Sequence, residues 1–193
     1  QGKYVNSPQT MVYDKSKLVF GLDKGKQSIR EKDLAILVEG QMDCIAAQEA
    51  GYENVVAVSG TALTAEQVKL LQRYTNRIAF AYDMDAAGRL ALERGSEQAM
   101  AAEMEASIIT LPEGKDPDEC IRKNPQGWKG AVEAAIPVME YYVNESIGRL
   151  DVSSTGDRRK ALKELLPRLS RIANSVERDF WIKRISQAID MDE

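Results

Sequence analysis

The chain contains no histidine, which excludes Ser-His-Asp and Cys-His catalysis, histidine general bases and most zinc or haem sites together. Its chemistry must run on carboxylates, lysines and arginines. Cysteine is nearly as scarce. Cys44 and Cys120 stand far apart, with neither a metal-site spacing nor the count of a disulfide framework, and such usage suits a reducing compartment. No apolar run approaches the ~18 residues of a membrane helix, and no basic-then-apolar leader opens the sequence. A cytoplasmic protein with no membrane partner is expected. A basic excess is missing too: the formal net charge is -4 and the sequence pI ≈ 5.2, so any site for a polyanion must be local.

What is present suffices for a core. The chain has 193 residues, 44% of them hydrophobic, enough for one large domain or two small ones. It begins at Gln1 on a polar stretch, as expected of a piece of something longer. Residues 1–30 hold Lys3, Lys15, Lys17, Lys24, Lys26 and Arg30 against Asp14 and Asp23, a local balance of +4. Within them Met11-Val12-Tyr13 and Leu18-Val19-Phe20 flank a polar turn and predict a hairpin.

From Asp33 apolar runs alternate with helical segments. Leu34 to Val38 predicts a strand buried on both faces, followed by a helix from about Met42 to Ala50 that Gly51 ends. Val55 to Val58 repeats the strand signal, and Thr64 with Gln67 forms a capping box for a helix through about Tyr74. Ile78 to Tyr82, a helix from about Ala86 to Met104, and Ser107 to Leu111 complete a βαβαβαβ pattern. Such alternation implies a parallel sheet with helices on both faces, whose ligands bind beyond the carboxyl ends of the strands. Past Pro112 only helices are expected. Trp128, Val132 and Ile136 mark one, with Pro137 restarting another at its first turn. Leu162, Leu165, Leu166, Leu169 and Ile172 form a further stripe, as do Val176, Phe180, Trp181, Ile185 and Ile189.

Carboxylates stand at the predicted strand ends. Glu39 ends the first strand, with Asp43 four residues on, and Asp83-Met84-Asp85 ends the third. Side chains two apart in an extended segment share a face, so Asp83 and Asp85 can aim at one spot, and Glu39 joins them if its strand lies alongside. Carboxylates ~4 Å apart repel by roughly 4 kcal/mol per pair at an effective dielectric near 20, so such a trio needs protons or a cation. Mg²⁺ suits hard oxygen ligands. The bland alternative is chance, since ~0.7 Asp-x-Asp triplets are expected at this composition; Asp116 to Asp118 and Asp190 to Asp192 are two more. The first of these reads as well as turn and helix-start chemistry, the second as a solvated end. Arg89 either holds a phosphate or pairs with Glu93 on its own helix.

Leu37 to Asp43, Gly60-Thr61-Ala62-Leu63-Thr64 and Tyr82 to Arg89 resemble the Toprim motifs, and their order and the spacing from Glu39 to Asp83 resemble the version in bacterial DnaG-type DNA primases. Lys3 to Thr10, Lys15-Ser16-Lys17 and Phe20-Gly21-Leu22 are similar to the primase segment before Toprim, Leu111 to Glu119 to the segment after it, and Val176 to Phe180 to the family's helical subdomain. Gln41 stands where a tyrosine is usual and Gln9 where glutamate is common; neither position is a metal ligand in the family.

The resemblance implies an α/β fold: a Toprim-type parallel sheet flanked by helices, then a C-terminal all-α helical subdomain. Residues 1–31 would be a remnant of an N-terminal polymerase subdomain, 32–118 the Toprim domain and 119–193 the helical subdomain. It implies a nucleotidyltransferase making short RNA primers on single-stranded DNA from ribonucleoside triphosphates, with weak activity in this piece. Glu39, Asp83 and Asp85 would be catalytic and, with Asp43, Asp116 and Asp118 as outer acids, would bind Mg²⁺ or Mn²⁺. Lys3, Tyr4, Asn6, Lys15 and Arg89 would face template or nucleotide. Replicative helicase and single-strand-binding protein would be met through parts absent here, as would zinc, and the chain would be a monomer. The rivals are another Toprim enzyme, a nuclease or topoisomerase, and a non-catalytic helical docking module.

Overall fold

A computed structural model of the chain describes residue 10 and residues 14–58, 62–83, 85–151 and 153–190. Of the expected hairpin, Met11 to Tyr13 lies outside them, and Leu18 to Phe20 forms no strand, Phe20 making a single antiparallel bridge to Ala57. Four strands follow the predicted order: β1 (Ala35–Val38), β2 (Val55–Ala57), β3 (Arg77–Phe80) and β4 (Glu105–Ile108), the last beginning two residues before the apolar run suggested. All four are parallel, in the order β2-β1-β3-β4. A fifth, β5 (Ile136–Pro137), adds antiparallel to β4 at the edge. This corrects the expectation of helices only past Pro112: Ile136 pairs with Ile108 instead of extending a helical stripe. Two residues are too short for a periodic signal.

Strand side chains alternate between two cores, as the period of two requires. Leu37, Val56, Ile78 and Phe80 face one, where they meet Val68 and Leu71 of α3 (Ala65–Leu71) and Leu92 and Ala99 of α4 (Ala86–Ala101). Ile36, Val38, Val55 and Ala79 face the other, against Cys44 and Ala47 of α2 (Gln41–Glu49), Cys120 of α5 (Pro117–Lys123) and Trp128 of α6 (Pro125–Glu133). Three more helices, α7 (Val138–Ile147), α8 (Thr155–Leu169) and α9 (Ser175–Ala188), extend the first core through Val138, Leu165, Trp181 and Ile185. An unpredicted helix, α1 (Leu22–Lys32), adds Leu22 and Ile29 to it. Its apolar positions are few and its charges many, so only the sheet behind it makes it a helix.

Caps place the helix starts that matter. Thr64 and Gln67 form the expected box, Gln67 N donating to Thr64 Oγ1 at 3.2 Å and Thr64 N to Gln67 Oε1 at 3.0 Å. Gln67 Nε2 also donates to the carbonyls of Lys15 and Leu18, pinning the basic turn to α3. In α9, Val176 and Phe180 are 77% and 59% exposed. The expected stripe therefore begins only at Trp181, and its first two members face solvent.

Candidate active site

Strands β1 and β3 are neighbours in register, Leu37 opposite Phe80. Beyond them Ala81 N donates to Leu37 O at 2.8 Å, so both strands deliver their next acidic residue at the same level. Asp83 N then donates to Glu39 Oε1 at 3.2 Å. Asp85 lies at the start of α4 and caps it, Oδ1 accepting from Gly88 N at 2.8 Å. A Cβ at position 88 would lie 1.9 Å from Asp83 O and 2.7 Å from Glu39 Oε1. Only glycine lets the first turn of α4 sit against both acids' segments.

The outer acids arrive from the other face. Asp43 is in the first turn of α2, where negative charge is favourable, and its Oδ1 accepts from Asp118 N at 3.2 Å. Asp116 caps α5, its Oδ1 accepting from Glu119 N at 2.7 Å. Asp118 also pairs with Arg122 one turn on. The cap chemistry that the sequence allowed for Asp116 is thus present, and it coexists with convergence on the acids.

These charges feel one another. Burial pushes Asp83 up to about 7, helped by the charges of Glu39, Asp43, Asp116 and Asp85. Glu39 is raised by burial and by Asp85 and Asp43, and Asp43 by burial and by Asp116 and Asp118. Half-buried carboxylates that raise one another have the chemistry that could hold a hard divalent cation. Among the described residues no three acids already surround one point. Holding an ion through one or two carboxylates plus substrate phosphates, with side-chain rotation, fits this arrangement better than an all-protein cage.

Lys3, Tyr4 and Asn6 lie outside the described residues. Lys15 is held through its backbone on α3, and no ion pair joins it to the acids among the described residues. Arg89, in the first turn of α4, lines a cavity between α4, α7 and α8. Glu93, its suggested partner, accepts from Arg168 Nη2 at 2.6 Å. Asp190 lies two residues past the end of α9 with its side chain exposed, and Asp192 lies outside the described residues. Sequence reasoning assigned no role to Gly88. A glycine inside an otherwise helix-favouring Ala-Ala-Gly-Arg run was the available signal.

A Toprim-like family model matches residues 36–121, and a model of the DnaB-helicase binding domain of primase matches residues 139–193. DNA primase of Clostridium acetobutylicum is 37% identical over 193 residues, covering 99% of this chain and 32% of its own length. That of Campylobacter jejuni is 35% identical over 164 residues, covering 84% and 27%. The chain thus spans about a third of the curated relatives it matches. Among solved structures, the E. coli primase catalytic core aligns with a TM-score of 0.86 at 30% identity, covering 100% of this chain and 63% of that one. A DnaG primase catalytic domain bound to ssDNA aligns at 0.86 and 29%, covering 99% and 62%.

A mostly parallel sheet covered on both faces, with acids beyond adjacent strands β1 and β3, is of the Toprim class. Within that class the chain belongs to the DnaG-type DNA primases and corresponds to part of their catalytic core. One expectation needs correction: the match to the helicase-binding model falls on α7–α9, so that region is not wholly absent from this chain.

Proposed function

We propose that the chain is the acidic half of a primer-synthesising nucleotidyltransferase, which joins ribonucleoside triphosphates into a short RNA on a single-stranded DNA template. The supporting observation is the contact of Asp83 N with Glu39 Oε1 at 3.2 Å across β1 and β3, inside a group of acids in which Asp118 pairs with Arg122. A bound Mg²⁺ or Mn²⁺ supplies charge that steadies a triphosphate and activates an attacking hydroxyl. Glu39 and Asp83 hold the ion side, Asp85 is fixed by its cap to Gly88, and Asp43, Asp116 and Asp118 keep the surroundings negative. No protein nucleophile takes part. Tyr82, which feels the charge of Glu39, is 3% exposed and its hydroxyl is raised by burial, which argues against a topoisomerase-like role. Lys3, Tyr4, Asn6 and Lys15 supply phosphate contacts to the template, as a locally basic segment in an acidic chain would.

The test is extension of an annealed RNA primer on a DNA template with ribonucleoside triphosphates and Mn²⁺. Glu39→Gln and Asp83→Asn are expected to lower incorporation by ~100-fold or more, the loss typical of removing charge stabilisation at a reacting phosphate. Incorporation at the unsubstituted level would refute the assignment.

A second reading concerns the tail. The helicase-binding match on residues 139–193 coincides with exposed Val176 and Phe180, one turn apart on α9. Apolar side chains at this spacing are the anchors by which a helix enters a partner's groove. The replicative helicase is the partner this favours.

A further inference from the structure

We infer that the groove between α4, α7 and α8 is a subsite for one nucleotide unit of a single nucleic-acid strand, continuing away from the acids. The inference rests on the polymerase reading above. The cavity has a volume of ≈ 400 Å³, within the range of small-ligand sites. One wall is formed by Ala86, Arg89, Leu90, Leu92 and Glu93 of α4, all but Leu92 spaced as one helical stripe. It starts at the residue after Asp85 and runs ~10 Å along the helix. A unit of the strand whose neighbour is held at the acids would reach this groove next.

The two ends differ in chemistry. At the inner end Arg168 donates to Glu93 Oε1 and to Glu164 O, both at 2.6 Å, and lies over the ring of Tyr142 at 4.4 Å, with its buried Nε left without a hydrogen-bond partner. Ser146 Oγ donates to Glu164 Oε2 at 2.9 Å. One arginine faces two glutamates there, which repels phosphate. At the outer end the balance reverses. Arg89, Tyr141, Glu145 and Arg149 all line the groove, so two guanidinium groups accompany one carboxylate beside the phenol there. Glu145 and Arg149 pair across one turn with side chains 44% and 69% exposed, and an exposed pair of this kind contributes little and exchanges readily for phosphate. Guanidinium is the side chain suited to phosphate. Tyr141 and the 47% exposed Leu90 offer the apolar surface on which a base or sugar rests. A phosphodiester at Arg89 and Arg149 with its base against Tyr141 satisfies both.

The test is fluorescence anisotropy of labelled single-stranded DNA and RNA 12-mers with the 193-residue chain, over a salt series, with and without Mn²⁺. Arg89→Gln with Arg149→Gln is compared with Lys69→Gln with Lys129→Gln, which removes the same charge from other faces. The arginine pair is expected to weaken binding ~5- to 50-fold and to reduce the salt slope by about 1 to 2, the signature of lost phosphate contacts. Tyr141→Leu is expected to weaken it further and Tyr141→Phe to leave it unchanged. A larger loss for DNA assigns the groove to template, a larger loss for RNA to primer, and equal losses to the shared phosphodiester. If both double variants bind within twofold of each other, or the unsubstituted chain binds neither oligonucleotide, the groove is no subsite. Mn²⁺ and triphosphate binding, measured on the same samples, separate this from the polymerase reading: their absence in the unsubstituted chain defeats that reading, whereas their retention beside unaffected oligonucleotide binding defeats the groove alone.

Discussion

The backbone N–H of Asp83 donates to Glu39 Oε1 at 3.2 Å, although the two residues are 44 apart in the chain. Parallel pairing of β1 with β3 sets this contact, and the strands end there together. The bond stabilises Glu39 in its charged form, yet burial and its neighbours still raise it, and Asp83 reaches about 7. The metal-free fold therefore works against like charge.

A pH dependence follows. Asp83 has a folded pKa above its unfolded value near 3.8, so the folded state binds more protons and stability falls as pH rises from ~4 through ~7. Glu39 and Asp43 act in the same direction. The carboxylates held low, such as Asp14 and Asp157, lose their contribution only as pH falls toward and below ~4, and above ~5.5 that contribution is constant. Between pH 5.5 and 7.5 in EDTA the melting temperature is expected to fall. With saturating Mn²⁺, which requires deprotonated ligands, it is expected to hold or rise. Thermal scans at both pH values check this.

Asp83→Asn removes a repelling charge while keeping the shape. In EDTA at pH 7.5 it is expected to melt higher by ~2–4 °C, the shift that about 1 kcal/mol produces in a chain of this size. The gain on adding Mn²⁺ is expected to disappear. A substitution that stabilises the protein and abolishes its metal response marks a functional site.

Gly88→Ala tests the close approach of α4. The added Cβ meets the Asp83 carbonyl, a backbone atom that cannot swing aside. Stability is expected to fall by ~1–3 kcal/mol, as overpacking does, and Mn²⁺ binding to weaken. Ala87→Gly, one residue earlier, is expected to leave Mn²⁺ binding near that of the unsubstituted chain.

Much of this was legible in the sequence, for identifiable reasons. Apolar runs bounded by helices predicted β1 to β3, because strands buried on both faces need no polar alternation, whereas β4 runs from exposed Glu105 to buried Ile108 and was met only at its end. Thr64 and Gln67 announced their box through side-chain chemistry that is wholly local. The link from Glu39 to Asp83 was conditional on strand order, which pattern alone leaves open. Local signals failed where tertiary packing decides. α1 has charged residues around a few apolar ones, β5 is two residues long, and Val176 and Phe180 continue a helical period that the fold leaves uncovered. Asp116 shows why a local reading can be right and incomplete, since it caps α5 and also bears on Asp83.

The uncovered pair on α9 separates docking from stability. Val176→Asp and Phe180→Asp are expected to change stability by less than ~0.5 kcal/mol, as exposed substitutions do, while weakening capture of the replicative helicase by more than tenfold. Surface plasmon resonance on immobilised helicase measures the second effect and thermal unfolding the first. Unchanged capture would remove the tail from helicase contact.

The most direct test of the central claim is anomalous scattering from a crystal of the chain soaked with Mn²⁺ and a ribonucleoside triphosphate. The expected result is a manganese peak bonded to oxygens of both Glu39 and Asp83, or to one of them and a triphosphate oxygen, at about 2.0–2.2 Å. A triphosphate and manganese bound elsewhere, with Glu39 and Asp83 still joined only to each other, would contradict it.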